Sequence, residues 1–284
     1  MRELTGKAAV VTGAASGIGR GIARALASQG VDVVVADLDA DGASAVAAEL
    51  RTMGVRSFSS ALDVSDPDAV DALAEQSWAE FGHIDLIVAN AGVIQPLGSV
   101  LKTKESDARW VFDVNFFGAW HCMQAFGRRF VEQGTPAWIL ATGSENSVGV
   151  PHTHAGFYTA SKHALLGLVD VMRRELPTHI GVSVLCPGMV ATHLNESLAR
   201  RPEKFGGPGR VVGSMAGGLD PDQVGRLAVE GVQRGDFYIF THPPVRELAD
   251  ERHAEISAVF DQHCPRFDGD EALDSRSLLK RKPD

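Results

Sequence analysis

Cysteine is scarce: the 284 residues carry three, Cys122, Cys186 and Cys264. They form no C-x-x-C, and an odd, sparse set is not a disulfide framework. Cys186 lies in an apolar run and reads as a small buried hydrophobe. Positive charge is also short. Lys and Arg number 27 against 36 Asp and Glu, a formal net charge of −9. That balance predicts no nucleic-acid partner, which needs a basic footprint, and no anionic membrane partner. The excess acid reads as solvated surface. No apolar run approaches the roughly 18 residues of a transmembrane helix. Met1 to Gly6 lacks the apolar stretch of a secretion signal, so the cytoplasm is the expected compartment. Repeats and low-complexity blocks are missing. Among the ten histidines there is no H-x-x-x-H pair, and His152 and His154 have no cysteine beside them. No metal site is expected.

What is present is an ordinary globular composition, 44% apolar and 22% charged, in a chain long enough to bury a large core. Short β-branched or apolar runs at 7–11, 31–36, 55–62, 84–89, 137–142, 180–186 and 236–240 read as strands. Runs covered on both faces belong to parallel sheets. Between them lie segments of helical periodicity: from about 17, 40–53, 67–81, 107–133, 155–176, from 221, and 245–262. Asp66-Pro67 and Asp220-Pro221 each combine a capping carboxylate with proline at the first helical position. The alternation predicts an α/β fold, a doubly wound, Rossmann-like, seven-stranded parallel sheet with helices on both faces. A single catalytic domain over 1–262 and a polar tail over 263–284 are expected. The Gly-rich stretch 193–219 breaks the rhythm and reads as a lid inside that domain.

Ligands of such sheets bind at the carboxyl ends of the strands. Thr12-Gly13-Ala14-Ala15-Ser16-Gly17-Ile18-Gly19 joins the first strand to the first helix there. Glycine lets a phosphate approach the backbone, and the helix start offers free N–H groups and a positive dipole end. The spacing is G-x-x-x-G-x-G rather than G-x-G-x-x-G. Asp37 ends the second strand, 18 residues after Gly19. A carboxylate there accepts both ribose hydroxyls of NAD and repels the 2′-phosphate of NADP. No Lys or Arg flanks it, and Asp39 or Asp41 can start the next helix instead. Asp63 and Val64, after the third strand, are placed to meet an adenine ring. Asn90-Ala91-Gly92, after the fourth, leaves room for a cofactor.

Tyr158 and Lys162 stand at i and i+4 of a predicted helix, so their Cβ atoms share a face about 5–6 Å apart. A phenol ionises near 10 and needs a neighbouring positive charge to act as a base near neutrality. The Lys162 ammonium and a positive nicotinamide ring are the expected sources of that lowering. Ser144 ends the fifth strand, 14 residues before Tyr158, where its hydroxyl would hold a substrate oxygen; Ser147 is a rival deeper in the loop. Asn115 is polar in an apolar setting. It is either a satisfied core amide or the anchor of a water leading from Lys162 to solvent.

Taken together these motifs resemble the short-chain dehydrogenase/reductase family over residues 1–240. The match includes the glycine turn at 12–19, Asp37, Asp63, Asn90-Ala91-Gly92, Asn115, Ser144, Tyr158-x-x-x-Lys162 and Pro187-Gly188-x-x-x-Thr192. The resemblance implies a catalytic tetrad of Asn115, Ser144, Tyr158 and Lys162. It implies that Val190 and Thr192 contact a nicotinamide carboxamide and that the cofactor is NAD. It also implies a homotetramer or dimer built on the helices at 107–133 and 155–176. The small-molecule partner would be a secondary alcohol or its ketone. Ile94, Gln95, Pro96, Asn146, Val148, Pro151, His152, His154, Phe157, Met189, His193 and Leu194 are the candidate lining, which suggests a bulky apolar or aromatic substrate. The alternatives are an NADP-dependent ketoreductase and, from another class, a non-catalytic dinucleotide-binding regulator. The presence of both Tyr158 and Lys162 argues against the regulator.

Overall fold

Seven short strands build the sheet, the central five buried along most of their length and the two at the edges less so: β1 (Ala8–Thr12), β2 (Asp32–Asp37), β3 (Ser57–Ala61), β4 (Leu86–Ala89), β5 (Ala137–Thr142), β6 (Ile180–Cys186) and β7 (Tyr238–Phe240). They form one all-parallel sheet in the order β3-β2-β1-β4-β5-β6-β7. The computed structural model describes residues 3–209, 217–270 and 274. Alternate side chains of a strand face opposite sides of a sheet, and the core divides accordingly. Val10, Val34, Ile87, Ile139 and Val184 pack on one face against α3 (Pro67–Phe81), α4 (Glu105–Phe112), α5 (Ala119–Gln133) and α6 (Gly156–Glu175). Val11, Val33, Val88, Leu140 and Leu185 pack on the other against α1 (Gly17–Ser28), α2 (Ala40–Thr52) and α7 (Pro221–Arg234). This is the expected doubly wound, Rossmann-like architecture. The last helix, α8 (Val245–His263), is exposed over most of its length.

Local signals set several boundaries. The Asp66 carboxylate accepts from the amides of Asp68 and Ala69, and that of Asp220 from Asp222 N, each one residue before a proline. On the second face α1 crosses α7 at Gly21 and Gly225. A Cβ on either would collide with the other helix's backbone, so these two positions are glycine because the helices touch there.

Two expectations change. The helix expected over 107–133 is two helices, α4 and α5, joined by a π-helical segment, Asp113–Gly118. At its centre is Asn115, whose Oδ1 accepts from Val93 N at 2.8 Å and whose Nδ2 donates to Val93 O at 2.9 Å. π-bulges of this kind are frequent at functional sites. The lid expected over 193–219 carries short 3₁₀ turns at Leu194–Arg200 and Glu203–Phe205. Its residues 210–216, and 271–273 and 275–284 of the expected tail, lie outside the described residues.

Candidate active site

In this strand order β1 and β4 are neighbours, and the chain winds outward from them in opposite directions. A crevice opens there at the strands' carboxyl ends. Asn90 stitches its floor: Nδ2 donates to the carbonyls of Thr12 and Gly13, and Oδ1 accepts from the Thr142 hydroxyl at 3.1 Å. The ends of β1, β4 and β5 are thereby fixed to one another.

The crevice is one long cleft. Gly13, Ser16, Gly17, Ile18, Asp37, Asp63, Val64, Asn90, Ala91, Gly92, Ser144, Tyr158, Lys162, Pro187, Gly188, Val190 and Thr192 all line it. Two expected residues do not. Gly19 lies behind the turn, where a Cβ would strike Gly13 O and the Asn90 amide. Asn115 is buried in the π-helical segment, and its Nδ2 also donates to Ser161 Oγ at 3.2 Å.

One end of the cleft suits a dinucleotide. Gly13 and Gly17 hold φ of +65° and +53°. A Cβ on Gly13 would sit 2.8 Å from Ala91 Cα, and one on Gly17 would sit 3.1 Å from Thr192 Cγ2. Ser16 leads into α1 without capping it, whereas Asp39, Asp66 and Asp220 each cap their helices. The amides at the start of α1 therefore face the cleft without a side-chain acceptor, a ready site for a phosphate group. Asp37 closes this end. Its Oδ2 accepts from Ala15 N and its Oδ1 from Asp39 N, both at 2.9 Å. The contacts hold the carboxylate against the glycine turn and leave it further lone pairs. The residues present fit a nicotinamide dinucleotide.

At the other end stand Ser144, Tyr158 and Lys162, all buried. Lys162 Nζ donates to Thr142 O at 2.7 Å and lies 5.7 Å from the centre of the Tyr158 ring. Burial pushes the Lys162 ammonium down to about 8. Burial also pushes the Tyr158 phenol up, and the nearby Glu145 carboxylate and Cys186 add to this; the Ser144 hydroxyl, in hydrogen-bonding contact with the phenol, works the other way. In the protein alone desolvation dominates for both groups; the expected lowering of Tyr158 also calls on the positive nicotinamide ring. Ser147 is turned away from the cleft. Its Oγ accepts from Ser144 N at 3.1 Å, so the rival serves the turn Glu145–Ser147.

The expected substrate lining is largely displaced. Of that set only His193 and Leu194 line the cleft. Gln95 and Asn146 are buried behind it: Gln95 Oε1 accepts from Tyr158 N at 3.1 Å, capping α6, and Asn146 contacts Ser144. Trp110, Val114, Val93, Ser197, Arg200 and Pro202 also line the cleft, Arg200 beside Asp39. Trp110 and Val114 share a helical face at i and i+4, the one signal that was available. The lid is pinned by ion pairs. Arg201 meets Asp107, both buried; Arg200 meets Asp39 at 3.3 Å; Lys204 meets Asp63 at 2.9 Å. Half-burial would raise the Asp63 carboxyl, but Ser65 and Lys204 outweigh it and hold it below the ordinary value. No group of His, Cys, Asp and Glu among the described residues is arranged to hold a metal. None of the described helices is long and apolar enough to cross a membrane.

Comparison with known proteins agrees with this geometry. A family model described as short chain dehydrogenase matches residues 7–203. The chain is 36% identical over 246 residues to 1-deoxy-11-beta-hydroxypentalenate dehydrogenase of Streptomyces exfoliatus, covering 86% of each protein. It is 30% identical over 275 residues to a C alpha-dehydrogenase of Sphingobium, covering 93% of this chain and 89% of the relative. The fold superimposes with a TM-score of 0.85 on the crystal structure of a short chain dehydrogenase/reductase from Burkholderia phymatum in complex with NAD. That pair is 33% identical, with coverage of 91% of this chain and 96% of the other.

Proposed function

The chain belongs to the short-chain dehydrogenase/reductase family and is an oxidoreductase, and from that premise we propose that it interconverts a secondary alcohol and its ketone with NAD(H). The observation that carries this reading is a single cleft. In it the buried Ser144, Tyr158 and Lys162 share walls with the open start of α1 and with Asp37. Trp110, Val114, Val93 and Leu194 make the substrate end apolar, which supports a bulky apolar or aromatic substrate. The same reading makes the protein a cytoplasmic homo-oligomer, a dimer or tetramer. Exposed Val131 on α5 and Val171 on α6 support pairing through those helices.

NAD(H), when bound, is the hydride acceptor or donor. The glycine turn and the first amides of α1 would hold its phosphates, and Asp37 its adenosine ribose. Lys162 would hold the second ribose, and Val190 and Thr192 the carboxamide. Ser144 donates a hydrogen bond to the substrate oxygen and steadies its charge. Tyr158 takes the alcohol proton in oxidation and returns it in reduction. Asn115, through Val93 and the π-helical turn, maintains the route by which Lys162 passes that proton to solvent. Because the phenol is pushed up by burial, oxidation should quicken as pH rises through the alkaline range.

Tyr158→Phe tests the assignment: turnover should fall by roughly two orders of magnitude or more while cofactor binding survives. Near-normal turnover would sink it. Arg200 favours a second reading, an NADP-dependent ketoreductase, because its guanidinium lines the cleft beside Asp39. Titrating NAD and NADP into wild type, Asp37→Ala and Arg200→Ala separates the two. We expect NAD to bind more tightly and Asp37→Ala to narrow the gap. Tighter NADP binding that disappears in Arg200→Ala would reverse the cofactor assignment.

A further inference from the structure

Ser144 is held from behind by a chain of polar contacts that does not reach the cleft. Asn146 is buried. Its backbone N–H donates to Ser144 Oγ at 3.2 Å, and its side-chain Nδ2 donates to the same oxygen at 3.2 Å. On its other side Oδ1 accepts from the Thr159 hydroxyl at 2.8 Å. Thr159 follows Tyr158 on α6.

A serine hydroxyl has two acceptor lone pairs and one proton. Both lone pairs of Ser144 are taken by Asn146, so its proton has one direction left, toward Tyr158 and the cleft. The Thr159 hydroxyl donates to Oδ1, and Nδ2 is the end of the amide presented to Ser144. We infer that Asn146 and Thr159 are positioning residues that aim the single Ser144 proton into the cleft, toward Tyr158 in the free protein and toward the substrate oxygen when substrate is bound. The inference rests on the role given to Ser144 above.

This arrangement matters because a free hydroxyl rotates. Preorganised donors stabilise developing charge since they need no reorientation during the reaction. It also couples the serine to the tyrosine through α6, because the residue that orients the amide adjoins the one that moves the proton.

The test compares Asn146→Asp, Thr159→Val, Thr159→Ser and Ser144→Ala. Aspartate keeps the shape but replaces the Nδ2 donor with an acceptor that invites the Ser144 proton inward. Valine keeps the shape of threonine without its hydroxyl. We expect kcat to fall roughly tenfold to a hundredfold in Asn146→Asp and by a smaller factor in Thr159→Val. Thr159→Ser, which retains the hydroxyl, should recover most of the turnover. Cofactor affinity, read by fluorescence titration, should not change in any of them. The rising limb of the oxidation pH profile should move to higher pH in Thr159→Val, because a phenolate with a less well-aimed donor is less favoured. Lys162, Glu145 and Cys186, the ionisable groups acting on Tyr158, are untouched in that variant.

Wild-type turnover and pH profile in both Asn146→Asp and Thr159→Val, with Ser144→Ala inactive, would overturn this inference alone. Faster turnover in Asn146→Asp would mean that the amide presents its oxygen to Ser144, and would overturn it as well. An active Ser144→Ala would overturn the parent reading. Should Asn146→Asp fail to fold, the Thr159 pair decides by the same readouts.

Discussion

Lys162 is a charge that the fold would be more stable without. Its ammonium is buried and has one carbonyl partner, Thr142 O, at 2.7 Å. Desolvation holds it near 8, against 10.5 for a free lysine. Between those values the unfolded chain binds the proton that the native protein releases, so stability rises with pH across that window. Below about 8 the whole cost of burying the charge is present, roughly 3 kcal/mol at about 1.4 kcal/mol per pH unit. Lys162→Met should therefore melt higher than wild type at pH 7 in the absence of cofactor, and the gain should shrink by pH 10. A melting point below wild type at both pH values would contradict this. That cost is explicable if the charge serves catalysis and not folding. The Tyr158/Lys162 pair was legible from its i, i+4 spacing, and Asp37 from its place after a strand. Their protonation energetics were not, because they depend on how dry the site is. Nor was Asn146's place behind Ser144, because a side chain two residues along can turn either toward a cleft or away from it.

Elements were readable where their signals are local and obscure where they are not. Asp66-Pro67 and Asp220-Pro221 mark helix starts because cap, proline and amide lie within three residues. The π-helical turn escaped notice because the contact at its centre, Val93 with Asn115, spans 22 residues. The lid's anchors escaped for the same reason, since Asp107 and Arg201 are 94 residues apart. Breaking a buried ion pair from one side leaves a charge without a partner. Asp107→Ala should free the lid before it unfolds the domain. We expect limited proteolysis within 200–209 to quicken and substrate KM to rise, while NAD affinity changes less. Unchanged cleavage there would show that Arg201 is not the anchor. The contact of α1 with α7 makes a separate prediction. Gly225→Ala forces the two backbones apart, and overpacking of this kind costs about 1–3 kcal/mol. A melting temperature equal to wild type would mean that the helices can separate freely.

At the scale of the molecule, seven parallel strands carry their carboxyl ends to one edge, and everything chemical gathers there. Residues as distant in sequence as Gly13, Asp37, Asn90, Ser144, Tyr158 and Thr192 line one cleft because each follows a strand or opens the helix after it. That these turn residues would meet was readable from sequence, since they sit on the turns that build the sheet. Most of the expected substrate lining does not reach this cleft. The cleft is completed by residues of α4, the π-helical segment and the lid, whose positions depend on tertiary contact. The central claim is that this cleft moves a hydride between a nicotinamide and an alcohol carbon with Tyr158 handling the proton. Its most direct test follows nicotinamide absorbance with a panel of secondary alcohols and ketones, aliphatic and aryl, for wild type and Tyr158→Phe. The account predicts turnover with NAD(H) on at least one bulky member for wild type, and a loss of about a hundredfold or more in the variant with NAD still bound. Silence of the wild type across the whole panel, with NAD bound, or equal turnover by both proteins, would contradict it.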